Sequence, residues 1–184
     1  MDNGLFLIVV IWLGVVSWFD IRRCEIPHSA WVILPLLSAM IYRATLGGWS
    51  LVVYAGVVAL ASERERLASW TRLPIHGWSF WIPPLVLVFT WATSSSVIGS
   101  IAILGFWIAW EVGAWGGADA VASICLVLLW PELHLIAALL GMHLVVALGS
   151  SLYTWIKERR FRLHSLPGLP ILLASVLIYW IAPR

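Results

Sequence analysis

Eight apolar runs, cut apart by the few charged, glycine and proline positions, take up most of this chain: 4–19, 29–46, 49–62, 78–92, 97–114, 119–131, 133–153 and 167–182. A helix needs about 20 mostly apolar residues to cross a hydrocarbon core of roughly 30 Å. Several runs approach that length, while 49–62 and 119–131 fall short of it. None shows the alternation of a membrane β-barrel strand. Hydrophobic residues make up 62% of the chain and charged ones 11%, against about 45–50% and about 25% in soluble domains. So few charges cannot dress a water-facing surface. The expectation is an all-α, polytopic transmembrane helix bundle of six to eight membrane helices, forming a single membrane-embedded domain over 1–184. A net charge of +2 leaves no basic face for nucleic acid. Cys24 and Cys125 form no CxxC pair, so neither a disulfide framework nor a zinc site is indicated.

The basic residues orient the bundle. Arg22 and Arg23, then Arg64, Arg66 and Arg72, then Lys157, Arg159, Arg160 and Arg162 fall on one side of an eight-span arrangement, and only Arg43 and Arg184 on the other. The positive-inside rule assigns the larger group to the cytoplasm and the N-terminus to the outside of the cell membrane. The first run has no basic region before it and leads into Asp20-Ile21-Arg22-Arg23, so it reads as a retained helix and not a cleaved signal peptide. Trp18, Trp49, Trp115 and Trp155 lie near run ends, where indole bridges apolar and polar zones. Trp12, Trp81 and Trp107 lie deeper, as packing or lipid-facing bulk. The polar stretch 62–77 suits a short interfacial amphipathic helix.

Most of the nine acidic residues have ordinary explanations. Asp2, Glu63, Glu65 and Glu158 read as solvated charges, Glu25 as a partner of Arg22 and Arg23, and Glu132, after Pro131, as a helix-start residue. Asp20, Glu111 and Asp119 remain. An ionisable group within a span costs about 2.5–3.5 kcal/mol on insertion scales, which makes each a functional candidate. Asp20 closes the first run, where pairing with a neighbouring arginine is the competing explanation. Asp119 follows Gly116-Gly117-Ala118, where a helix N-cap is the competing explanation. Four runs separate the two, an even number, so both end on the cytoplasmic side at similar depth. Two carboxylates converging in a low-dielectric site cannot both ionise easily and share one proton. That is what peptide hydrolysis needs: one takes a proton from water and the other donates to the carbonyl.

The pattern resembles the prepilin and preflagellin (pre-archaellin) peptidases, intramembrane aspartic peptidases of the Gly-x-Gly-Asp type. Their first motif is an aspartate at the cytoplasmic end of a helix, then basic residues and an Ile-Pro pair usually followed by asparagine. Here it reads Asp20, Arg22, Arg23, Ile26, Pro27, with His28 in the asparagine's place. The second appears as Gly116-Gly117-Ala118-Asp119, the form familiar in the archaeal branch. Leu166-Pro167-Gly168-Leu169-Pro170 is similar to the Pro-Gly start of that family's last helix. The resemblance implies Asp20 and Asp119 as catalytic residues, supported by Gly116, Gly117, Arg22, Arg23 and Pro27. It implies an aspartic-type endopeptidase that removes the short basic leader of pilin-like or archaellin-like precursors at the cytoplasmic membrane face, with no cofactor. The family's aspartates stand about two spans apart; here they are 99 positions apart, which suggests an extra hairpin over 78–114 with a break at Pro83-Pro84. The zinc domain of the large methylating enzymes is absent from the sequence, so methyl transfer is not implied.

Other residues fit less specific roles. Glu111 reads as a third acid lining the site or a snorkelling residue. His134 and His143 are over 13 Å apart along a helix axis, so they cannot share a metal. His28, His76 and His164 lack ligand spacing, and Ser94-Ser95-Ser96 reads as an external turn. Two alternatives to the peptidase remain open: a small ion- or proton-coupled transporter or channel subunit using Asp20, Glu111 and Asp119 as ligands, and a non-catalytic peptidase-like scaffold.

Overall fold

A computed structural model of the chain describes residues 3–23, 29–64, 78–91, 97–158 and 168–181. Among them every regular element is helical. There are eight α-helices: α1 (Asn3–Arg23), α2 (Leu34–Thr45), α3 (Trp49–Ser62), α4 (Ile82–Trp91), α5 (Val97–Glu111), α6 (Gly117–Leu129), α7 (Leu133–Glu158) and α8 (Gly168–Ile181). A π-helical turn, Ser29–Ile33, leads into α2, and a 3-10 turn, Trp78–Trp81, leads into α4. Each apolar run of the sequence yields one helix. Pro83-Pro84 falls in the first turn of α4 and does not interrupt it, because the missing amide hydrogens there have no helical partner to lose.

Two helical stretches, Asn3–Arg22 and Leu133–Lys157, are long and apolar enough to cross a membrane among the described residues. The chain divides into two compact units, Met1–Trp31 with His134–Arg184, and Val32–Leu133.

In the first unit α1 packs along α8. The buried face of α1 runs Val9, Leu13, Val16 and Ser17, and that of α8 runs Leu169, Leu172, Val176 and Tyr179; both follow the three-and-four spacing of a helix stripe. Phe6, near the start of α1, stacks on Trp180, near the end of α8, with ring centroids 3.9 Å apart. The two helices are therefore antiparallel. Trp12, expected as packing or lipid-facing bulk, donates its indole N–H to the Trp31 carbonyl at 3.2 Å. At the end of α1 the Arg22 guanidinium lies 4.1 Å from the centre of the exposed Trp18 ring.

The second unit packs α2 on α6, α3 on α4 and α5, and α5 on α6. Its core gathers Tyr54, Ile103, Phe106, Trp107 and the run Ser123–Leu128 of α6. Of the tryptophans expected as packing or lipid-facing bulk, Trp107 is fully buried and Trp81 is exposed. Two of its connections are tight and alike. After α2, Gly47 (φ 78°) sends its N–H to Ala44 O and Gly48 sends its N–H to Arg43 O. After α5, Gly113 (φ 72°) sends its N–H to Trp110 O and Ala114 sends its N–H to Ala109 O. This paired bonding around a left-handed glycine caps the last carbonyls of a helix and reverses the chain.

Candidate active site

Asp20 lies one turn beyond Val16 and Ser17, on the face of α1 that meets α8. The last turn of α1 and the first turn of α8 come together in the antiparallel pair, and the Leu169 backbone amide reaches the Asp20 carboxyl group as a hydrogen-bond donor. That amide is one of the four at a helix start with no partner inside its own helix, well placed for an acid. The other carboxyl oxygen, Oδ2, is buried without a hydrogen-bond partner, as is Ser17 Oγ one turn earlier. Two of the three sequence motifs, the aspartate and the Gly168-Leu169 helix start, are thus brought together within one unit. Arg22 is exposed and faces the Trp18 ring. Arg23 ends α1, and its side chain, like Pro27, Ile26, Glu25 and His28, lies outside the described residues.

Asp119 belongs to the second unit, in the first turn of α6. It is not the N-cap: Gly116 holds that position, with an extended backbone at φ −69° and ψ 149°. Asp119 stands three residues into the helix and folds its carboxyl back toward the cap, so closely that a Cβ on Gly116 would lie 2.9 Å from Asp119 Oδ2. A Cβ on Gly117 would lie 3.2 Å from Nε1 and 3.5 Å from Cε2 of Trp110. Each glycine of the Gly-Gly pair therefore has its own reason: the first leaves room for the acid and the second for an indole. The Asp119 carbonyl accepts from Ser123 Oγ at 2.8 Å, and the first turn closes with Ala120 N–H to Gly116 O at 3.0 Å.

Glu111, expected as a third acid lining the site or a snorkelling residue, is paired with an arginine. It ends α5 and takes both guanidinium nitrogens of Arg64, at 2.8 and 2.7 Å. With the side chains only 26% and 13% exposed, water screens this pair weakly. Ser62, Arg64, Trp110 and Glu111 line a cavity of about 240 Å3. The pair also joins the C-terminal ends of α3 and α5, as expected if those two helices run in the same direction.

Sequence reasoning missed Ser17, the Leu169 amide, Arg64 and Trp110. Ser17 could have been found from the stripe 9, 13, 16, 17, 20 on α1; the Leu169 amide and Arg64 depend on contacts remote in the chain, and Trp110 on the turn that brings it back to Gly117. His143 places Nδ1 2.8 Å from the Leu139 carbonyl of its own helix, and no group of three metal-ligating side chains occurs among the described residues. Cys125 is a buried free thiol. The segment 65–77, His76, His164 and Ser94-Ser95-Ser96 lie outside the described residues. No protein-family model, curated protein or solved structure matches the chain, so the likeness to the peptidases stands on the motifs alone.

Proposed function

We propose that this protein is a multi-pass membrane aspartic endopeptidase with Asp20 and Asp119 as its catalytic pair. It cleaves the short basic leader of a pilin-like or archaellin-like precursor at the cytoplasmic face. The observation that carries the reading is the Asp20 carboxyl group. It stands at the end of an apolar helix seam, held on one side by the Leu169 amide and leaving Oδ2 buried without a partner. An acid kept at such cost asks for a function. The Gly116-Gly117 start of α6, shaped around the second acid, supports the same reading.

In the proposed reaction one carboxylate removes a proton from water, which attacks the scissile carbonyl. The other carboxylic acid protonates the carbonyl oxygen, and collapse of the tetrahedral species returns a proton to the departing amine. A basic leader beside an apolar segment presents its scissile bond at the inner membrane surface, where anionic lipids gather positive charge. Membrane residence draws further support from the second unit, whose Val53, Leu60, Leu85, Val88, Ile98 and Ile101 are all exposed; a water-soluble domain rarely shows so much apolar surface. Against the transporter reading, Glu111 is already neutralised by Arg64.

The test is cleavage of a short-leader prepilin by membranes containing the wild type, Asp20→Asn or Asp119→Asn. Wild type is expected to cleave, with each variant slower by at least about 10³-fold, the scale of losing an acid–base group. Full activity in either variant removes the proposed pair.

A further inference from the structure

Glu111 occupies an unfavourable place. A helix ends in partial negative charge, so a carboxylate in the last turn of α5 is repelled by its own helix. Arg64, just past the end of α3, cancels that repulsion with two short parallel hydrogen bonds, the arrangement that gives a guanidinium–carboxylate pair direction as well as strength. The ends of α3 and α5 are thereby locked together. The residue beside Glu111 is Trp110, whose indole rests against Gly117, so closely that a single added carbon would touch Nε1 at 3.2 Å. Gly117 is the first residue of α6, two before Asp119, and the Asp119 carboxyl in turn lies against Gly116. The link between α5 and α6 is short and capped by Gly113. Inside the second unit the Arg64–Glu111 pair thus holds the end of α5, the next residue back, Trp110, lies over Gly117, and Gly117 is joined to Gly116, against which the Asp119 carboxyl lies.

We propose that Glu111, clamped by Arg64, is a positioning residue for Asp119, acting through Trp110 and Gly117. The inference rests on the peptidase reading for its functional meaning, but its structural content, that the clamp sets the first turn of α6, is measurable separately. Glu111 does not touch the reacting atoms; it fixes the direction in which the catalytic carboxyl is presented.

The experiment uses the full chain in phosphatidylethanolamine–phosphatidylglycerol vesicles, with Glu111→Gln and Gly117→Ala. Two readouts are taken: hydrogen exchange at the Ala120 amide, whose bond to Gly116 O closes the first turn, and kcat and KM for a short-leader prepilin. Glu111→Gln and Gly117→Ala are expected to speed exchange at Ala120 by about tenfold or more. They are expected to lower kcat by about 10- to 100-fold, the cost of slight misplacement, with KM within about twofold. Wild-type exchange at Ala120 in Glu111→Gln overturns the inference, as does a fall in kcat accompanied by uniformly faster exchange along α3, α5 and α6, the sign of general loosening. If the wild type fails to cleave, the peptidase reading falls alone, and exchange at Ala120 still decides whether the clamp orders α6.

Discussion

Gly116 adopts a backbone conformation open to any residue, so nothing in the chain path demands glycine there. What demands it is the Asp119 carboxyl lying where a side chain would begin. Gly116→Ser therefore separates stability from function. Serine is a better N-cap than glycine, so thermal unfolding should shift upward or stay unchanged, while the added Cβ pushes the carboxyl aside and cleavage should fall about tenfold or more. A melting temperature that drops with activity intact would show that the acid is free to lie elsewhere. The acids themselves were legible in the sequence because charge is rare in apolar runs, and Asp20 and Asp119 stand out on that ground alone. Their surroundings were not. Arg64 and Glu111 are separated by 47 positions, and Asp20 meets an amide 149 positions away; no local pattern encodes such meetings. Arg64 read as a topology marker and Glu111 as a loose acid because each was judged by its neighbours in the chain.

Helix ends show where local rules succeed and where they slip. The run that stopped before Gly47 ended within a residue of its helix, whereas the run 97–114 carried on past Gly113 although α5 ends at Glu111; both glycines adopt the left-handed conformation that closes a helix. Neither would meet an atom within 4 Å if given a Cβ, so their value is purely conformational. Gly47→Ala and Gly113→Ala should each lower stability by about 1 kcal/mol, read as a fall in unfolding temperature in detergent; no fall would mean the turn relaxes at no cost. The start of α6 was read two residues late, because Asp119 looked like a cap when the cap is Gly116. Helix α7 runs on to Glu158, past the expected end at 153, because lysine and glutamate are good helix formers and carry their charges away from the axis on long stems. The Lys157 ammonium, 5.6 Å from the Tyr153 ring centre, is such a case. The π-helical turn before α2 left no trace in apolar periodicity.

Among the described residues, the count of helices was readable from apolar runs, and their lengths set the terms for any bilayer around them. In the proposed topology the α2–α3 turn faces outward and the α5–α6 turn faces the cytoplasm. Cysteines placed at Leu46 and Val112, both exposed, should then react with a membrane-impermeant maleimide from opposite sides of sealed vesicles; labelling of both from one side would overturn the arrangement. The helical stretch Trp31–Thr45 and helix α3 are each at most 17 residues long, a rise of at most about 26 Å, under the roughly 30 Å of hydrocarbon. Only Leu46, Gly47 and Gly48 join them. If the proposed topology holds during synthesis, neither half alone offers the translocation machinery a segment long enough to release into lipid. On the proposed topology, α3 would have to be finished before α2 could settle, and the order of biogenesis for this stretch would be set by a turn of three residues.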